Sequence, residues 1–267
     1  MFEQPEDFRA ESQALYDLIA PLSDAEYERK SRFKGWSVAD VITHLHMWNW
    51  AADTALTNEA AFVEFMAGLS SKLMGGETLR PFENRWVAPL RGRALLDAWR
   101  KQFNETADHF ALADPKKRVK WAGPDMSVRS SVTARLMETW SHGQAVYDML
   151  GVQRVDGDRI KNIAVLGVNT FGWTFATHKQ TPPAAMPHLR LTAPSGEIWT
   201  WNEASATDVI EGSATEFCQV VTQTRNIADT KLVVKGESAT RWMSIAQCFA
   251  GPPQIPPAPG TRFRETV

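Results

Sequence analysis

The amino-acid sequence predicts an α+β protein of two domains, a helical bundle over residues 1–152 and a small α+β domain over residues 153–267. Three observations predict this architecture. Long stretches of the first half repeat apolar residues at helical spacing. The second half instead has short β-rich runs, more proline and a proline-rich end. Between them, Gly151 follows an apolar run at a position where glycine can end a helix.

Four long stretches of the first half carry an apolar face and predict a four-helix bundle. We expect these helices over residues 5–22, 38–56, 89–112 and 130–150, with a shorter helix over residues 59–73. Ser37 and Asp40 stand ahead of the second apolar run at the spacing of a capping box, which predicts where that helix starts. Residues 113–125 contain proline, glycine and basic side chains and predict a loop.

The second half predicts a small mixed domain. Its expected elements are a helix over 159–176, two strands joined by a turn at 194–196, a short strand over 208–211, a helix over 213–225, a strand over 231–235 and a helix over 238–250. The proline-rich segment after Gly251 predicts an extended tail.

Composition excludes several classes of protein. Of 267 residues, 29 are basic and 31 acidic, giving a net charge of −2, which disfavours nucleic acid as the main partner. No apolar run approaches the ~18 residues of a membrane-spanning helix, and the acidic start is unlike a secretory signal, so we expect a cytoplasmic protein without a membrane partner. Cys218 and Cys248 are the only cysteines and form no C-x-x-C motif, which excludes a disulfide scaffold, a zinc finger and a thioredoxin-type site.

A carboxylate and an imidazole stand one helical turn apart in the fourth predicted helix. Glu138 and His142 are at positions i and i+4, on one helix face, where they can bind one metal ion, although a solvated pair is the commoner interpretation. The candidates for a third ligand are His44, His46 and His109. Spacing does not choose between the first two, because both flank the apolar stripe, and His109 lies among polar residues typical of a surface.

A family resemblance selects among these residues. Residues 35–45, GWSVADVITHL, resemble the tryptophan-to-His-Leu signature of DinB-like metal-dependent proteins and, more closely, the N-terminal domain of mycothiol-dependent maleylpyruvate isomerases. Residues 138–148, ETWSHGQAVYD, resemble the second ligand segment of that family. Residues 191–201, 217–230 and 241–247 resemble an uncharacterised, mainly actinobacterial branch of the same group, and the second domain resembles sterol-carrier-like folds. The resemblance covers nearly the whole chain.

The resemblance implies that His44, Glu138 and His142 bind a divalent metal, usually zinc, and that His46 lies at the surface or beside a ligand. Two nitrogens and one carboxylate oxygen leave a position of the metal open, as in catalytic sites. Either water or a thiol can take that position. Because no cysteine accompanies the ligand motifs, a thiol nucleophile comes from outside, and the family implies mycothiol or a similar small thiol as cosubstrate.

The expected activity is thiol transfer to a small electrophilic substrate or cis–trans isomerisation of it. One form of this hypothesis has a substrate that carries a carboxylate. In the family an arginine of the C-terminal domain assists catalysis, and Arg225 is its counterpart by alignment, with Arg241 as second choice; an ordinary ion pair is the alternative. Trp36, Trp48 and Trp140 are candidates for a pocket wall, with core packing as the alternative.

Two other functions remain open at this point. The first is a metal-dependent hydrolase that uses a bound hydroxide. The second is a non-enzymatic protein in which the metal is structural and the second domain binds a small apolar ligand. The sequence does not decide between a monomer and a homodimer.

Overall fold

The computed structural model describes residues 2–266 and divides into two compact units, one ending at Val146 and one beginning at Tyr147. The division lies six residues before the boundary expected after residue 152. The first unit is mainly helical and the second combines helices with a sheet, so the predicted α+β class is confirmed.

Helices form nearly all of the N-terminal unit. They are α1 (Gln4–Ile19), α2 (Asp24–Tyr27), α3 (Val38–Thr57), α4 (Glu59–Met74), α5 (Leu79–Val87), α6 (Gly92–Leu112) and α7 (Val128–Met149). The four longest predicted helices correspond to α1, α3, α6 and α7, and α6 packs against both α1 and α3. Large apolar side chains fill the interior of this unit, among them Phe8, Leu45, Trp99, Phe103, Leu136 and Trp140.

Helix α3 begins as the sequence predicts. The Ser37 hydroxyl accepts a hydrogen bond from the Asp40 amide at 3.1 Å, and the Asp40 carboxylate accepts one from the Ser37 amide at 2.9 Å. This reciprocal capping box satisfies two backbone donors at the helix start. It therefore fixes where α3 begins, six residues before His44.

Two features of the N-terminal unit differ from the expectation. Helix α5 was not expected, because it is only nine residues long and carries Pro81 near its start. The predicted loop at 113–125 contains part of a small antiparallel pair, β1 (Arg118–Val119) and β2 (Met126–Ser127). Strands of two residues are too short to show an alternating pattern in a sequence.

The C-terminal unit consists of helices packed on a four-stranded sheet. Its elements are α8 (Lys161–Asn169), α9 (Phe171–Thr177), β3 (His188–Thr192), β4 (Ile198–Trp201), β5 (Val209–Ser213), α10 (Ala214–Val221), β6 (Val233–Lys235) and α11 (Glu237–Ile245). The strand order is β4-β3-β5-β6. The predicted hairpin is β3–β4, in antiparallel register, while β5 pairs parallel to β3 and antiparallel to β6.

Helix boundaries in the C-terminal unit differ from the predicted ones. The single helix expected over 159–176 is interrupted at Thr170, whose hydroxyl donates to the carbonyl of Leu166 at 2.8 Å. Such bonding back to a helix carbonyl competes with a regular helix. Helix α10 ends at Val221 and not at residue 225, and Gln223 just beyond it has a left-handed backbone with φ of 56°.

Within residues 2–266, no helix combines the length and the hydropathy needed to cross a membrane.

Candidate metal centre

Three side chains from two helices converge in the N-terminal unit. His44 lies on α3, and Glu138 and His142 lie one turn apart on α7. The Nε2 atom of His44 is 3.1 Å from Oε2 of Glu138, and the Nε2 atom of His142 is 2.9 Å from the same oxygen. One potential ligand atom from each residue lies within 4.8 Å of the others. The structure thus brings together the three residues that the resemblance implies as ligands.

These atoms fit the ligand set of a divalent metal. Two imidazole nitrogens and a carboxylate oxygen match catalytic zinc, and other divalent transition metals accept the same donors. The Glu138 and His142 side chains are 20% and 14% exposed, so the site reaches solvent. The ring of His142 also has a buried Nδ1 atom without a hydrogen-bond partner, while its Nε2 atom is the one that lies against Glu138. A ligand from solution therefore has access to one side of the centre.

Glu83 orients His44 from behind. It lies on α5 and is fully buried, with Oε1 2.7 Å from Nδ1 of His44 and 3.3 Å from Nε1 of Trp48, which donates to it. A carboxylate at Nδ1 keeps the proton there and leaves Nε2 free to bind a metal. Sequence reasoning missed Glu83, since it belongs to the helix that was not expected.

Further charges hold Glu83 in turn. Arg80, one turn earlier on α5, donates hydrogen bonds to both Glu83 and Asp40. Asp40 is also the capping residue of α3. A connected series of polar contacts thus runs from the start of α3 to His44, and this is the kind of outer support that fixes the orientation of a ligand.

The electrostatics of the centre favour a cation. Burial opposes ionisation of Glu138, but hydrogen bonds from His142 and His44 outweigh it and hold the pKa of this carboxyl well below its usual range. Burial likewise acts against the charged form of His44, yet hydrogen bonds to Glu138 and Glu83 raise the pKa of this imidazole. The carboxylates are therefore arranged to stabilise positive charge between them.

Aromatic rings form one wall of the centre. The Trp36 ring stacks on His142, with centroids 5.3 Å apart and planes at 15°, and lies 5.3 Å from His44. The Phe33 ring meets His142 edge-on at 5.1 Å. Trp36 thus lines the site, whereas Trp140 is fully buried. Trp48 contributes through its hydrogen bond to Glu83.

The remaining candidate histidines lie apart from this group. The expectation that His46 lies at the surface or beside a ligand is wrong as to the surface: it is buried, edge-on to Trp86 at 5.4 Å, and burial lowers its pKa to about 4. Helix α3 is buried on most sides, so polarity did not identify its inner face. His109 is half-exposed and lies 2.7 Å from Asp53.

Arg225 has a protein partner within the C-terminal unit. Its Nη1 and Nη2 atoms donate to the two carboxylate oxygens of Asp148 at 2.7 and 2.6 Å, and its side chain is largely buried. A bidentate pair of this kind is strong and geometrically specific. The alternative candidate, Arg241, is more exposed and donates to the carbonyl of Thr181 at 3.2 Å.

Neither cysteine is exposed to solvent. Cys218 and Cys248 are both buried in the C-terminal unit. Burial raises the pKa of the Cys218 thiol well above its usual range, which suppresses the reactive thiolate.

Comparison with known proteins adds independent findings. Residues 8–147 match the model of the mycothiol maleylpyruvate isomerase N-terminal domain. Two relatives, both called uncharacterised proteins and from two strains of Mycobacterium tuberculosis, are 38% identical over 247 residues, which is 92% of this chain and 95% of each relative.

Solved structures with a similar fold were also found. The crystal structure of the mycothiol-dependent maleylpyruvate isomerase matches with a TM-score of 0.52 and 17% identity, covering 82% of this chain and 87% of the other. The structure of a histidine-to-alanine mutant of that isomerase matches with a TM-score of 0.51 and the same coverage. At this identity the structures show the fold, while the family match covers more than half of the chain. The chain belongs to the family defined by the mycothiol maleylpyruvate isomerase N-terminal domain.

Proposed function

We propose that the protein is a divalent-metal enzyme, with zinc as the expected metal, that uses mycothiol or a similar small thiol as cosubstrate. Its reaction is the cis–trans isomerisation of a small electrophilic substrate or the transfer of the thiol to it. The observation that carries this proposal is the convergence of His44, Glu138 and His142 at a solvent-reaching point with no cysteine among them.

The residues of the centre have distinct parts in this proposal. A divalent metal with an open position lowers the pKa of a thiol that binds it, so that the thiol is present as thiolate at neutral pH. His44 and His142 present Nε2 atoms to one point, and Glu138 contributes the negative charge. Glu83 holds the proton on Nδ1 of His44, and Trp36 covers one side against water.

The thiolate accounts for both reaction outcomes. Its sulfur forms a bond to an electrophilic alkene carbon, and the electron pair of the double bond moves onto the conjugated carbonyl. Rotation about the resulting single bond and the reverse elimination return the thiolate and give the trans isomer. Protonation of the adduct at carbon instead yields a thiol-transfer product. In the first case the thiol is not consumed.

Arg225 is a catalytic residue in this proposal only if its ion pair with Asp148 opens. A planar guanidinium suits a substrate carboxylate, but that of Arg225 is bound bidentately by Asp148. Contact with a substrate requires this pair to open. We therefore expect a structural role to contribute most of the effect of replacing Arg225.

Metal content and thiol dependence test the proposal together. We expect about one equivalent of divalent metal in the purified protein and its loss in His142→Ala, because removing one of three protein ligands leaves too few. Maleylpyruvate with mycothiol, and with glutathione as a second thiol, provides the first turnover assay. Turnover that requires both metal and thiol supports the enzyme, and stoichiometric metal in His142→Ala contradicts the ligand set.

The turnover assay and the coordination of the metal distinguish the proposed enzyme from a hydrolase and from a binding protein. A metal-dependent hydrolase cleaves an ester or an amide without any thiol. A binding protein with a structural metal shows no turnover and has a saturated coordination shell, which X-ray absorption spectroscopy detects as a fourth protein ligand.

A further inference from the structure

A buried charged residue lies on the face of α7 that carries Glu138 and His142. Arg135, Glu138 and His142 stand at positions i, i+3 and i+7 and therefore share one face of the helix. The Cα atom of Arg135 lies about 4.5 Å along the helix axis from that of Glu138. Yet Arg135 is only 3% exposed, which is unusual for an arginine.

Two of the three nitrogens of the Arg135 guanidinium lack an acceptor in the described part of the chain. Its Nε and Nη1 atoms are buried and have no hydrogen-bond partner. Its one described contact is with the face of Trp121, whose centroid is 4.9 Å away. The face of a ring attracts a cation. The N–H groups of the guanidinium, however, lie in its own plane and are not satisfied by a ring packed on its face. A buried cation with free donors is costly unless an anion joins it.

The neighbouring carboxylate is already engaged. Both imidazoles of the metal centre lie against Oε2 of Glu138. The charge of Glu138 acts on Arg135 through space and partly offsets the lowering of its pKa by burial. Arginine stays protonated in proteins, so Arg135 is a cation, and its Nε and Nη1 donors are free for another acceptor.

Aromatic contacts connect Arg135 to the metal ligands. The Trp121 ring lies 5.6 Å from that of Trp48, whose Nε1 atom donates to Glu83. Glu83 in turn orients His44. The arginine and the three ligands thus belong to one continuous set of contacts within the N-terminal unit.

We propose that Arg135 is an anion-binding residue that holds a carboxylate of the small substrate beside the metal centre. The identity of the substrate as an electrophile rests on the function proposed above, but the binding of a carboxylate does not require thiol or turnover. The guanidinium contributes charge and N–H donors, which carboxylates accept in strong charge-assisted hydrogen bonds. Nothing in this assignment requires Arg225 to leave Asp148.

Binding of maleate, a small cis-dicarboxylate, tests the assignment directly. Isothermal titration compares maleate with its dimethyl ester, for the wild type and for Arg135→Met, with metal bound and after treatment with EDTA. We expect the wild type to bind maleate but not the ester, and Arg135→Met to bind maleate at least about tenfold more weakly, as loss of a charged hydrogen bond implies. This difference should persist without metal.

Several results would overturn the assignment. The first is equal maleate affinity in the wild type and Arg135→Met. The second is no binding of maleate by the wild type at millimolar concentration. The third is a difference in affinity between the two proteins that disappears with EDTA, which would mean that maleate binds to the metal alone. None of these depends on thiol turnover, so a failure of the proposed enzyme function is recorded separately.

Stability and matched variants distinguish a ligand-binding arginine from one that only packs. Without ligand, Arg135→Met should have a higher Tm, because it removes an unpaired buried charge.

Arg135→Lys should have intermediate maleate affinity, since it keeps the charge but not the planar group with several N–H donors. Arg100→Met is the control, because Arg100 also lies over a ring, 4.6 Å from that of Tyr16, but is exposed. It should bind maleate as the wild type does. A lower Tm of Arg135→Met with unchanged maleate affinity identifies a packing arginine and refutes the proposal.

Discussion

Arg225 in the C-terminal unit and Arg135 in the N-terminal unit are both largely buried, but only Arg225 has a carboxylate of the described residues within hydrogen-bonding distance. In the C-terminal unit Arg225 is bound by both oxygens of Asp148, and Arg154 pairs with Asp156 at 3.3 Å. In the N-terminal unit Arg135 is buried against the ring of Trp121, and two of its nitrogens lack an acceptor. Where the fold itself provides the counter-ion, the charge is structural. In the proposal above, the unpartnered nitrogens of Arg135 are left for a ligand.

The largest expected effect is on the free energy of unfolding, when the ion pair between Arg225 and Asp148 is removed. Arg225→Gln leaves the buried carboxylate of Asp148 without its bidentate partner, which should lower the free energy of unfolding by about 3 kcal/mol. Urea unfolding followed by circular dichroism measures this loss. Arg241→Gln, at a more exposed arginine of the same unit, should change it by less than about 0.5 kcal/mol.

A different result for Arg225 would break the comparison. If Arg225→Gln keeps full stability but loses turnover, Arg225 acts on the substrate and its pairing with Asp148 is only a resting contact. Arg225→Gln combined with Asp148→Asn should recover part of the lost stability, because it no longer leaves one charge alone.

The next effect concerns the support of His44. Glu83→Gln should weaken metal affinity about 10- to 100-fold, because a neutral amide holds the proton on Nδ1 less strongly and leaves a less basic ligand. Competition with a chromogenic chelator measures the affinity. Glu64→Gln, at an exposed carboxylate on α4, is the matched control and should bind metal as the wild type does. Equal affinities of the two variants would show that Glu83 only fills the core.

The sequence predicts features that depend on local or periodic patterns, but not contacts that depend on the tertiary structure. The start of α3 was predictable from Ser37 and Asp40, because a cap is local chemistry. So was the helical face shared by Glu138 and His142. Glu83 was not, since its helix is only nine residues long with Pro81 near its start, and its partner is 39 positions away. Arg135 escaped notice because sequence patterns place a charged residue at the surface.

The third ligand shows where spacing alone fails. His44 and His46 both flank the apolar stripe of α3, and both are buried. Only the position of α7 and α5 determines that His44 meets Glu138 and Glu83 while His46 meets Trp86. This information is tertiary, so a family resemblance and not periodicity selected the residue.

The smallest expected effect separates stability from the site within the N-terminal unit. Ser37→Ala removes the hydroxyl that accepts from the Asp40 amide and should cost about 1 kcal/mol of stability, as loss of a cap does. Asp40 still binds Arg80, so Glu83 and His44 keep their support, and metal affinity should stay within about twofold of the wild type. Asp40→Asn disturbs the cap and the arginine together and should lower both quantities. Urea unfolding and chelator competition on the two variants measure them side by side. Were Ser37→Ala to weaken metal binding as much as Asp40→Asn does, the cap itself, and not the contact between Asp40 and Arg80, would be what positions His44.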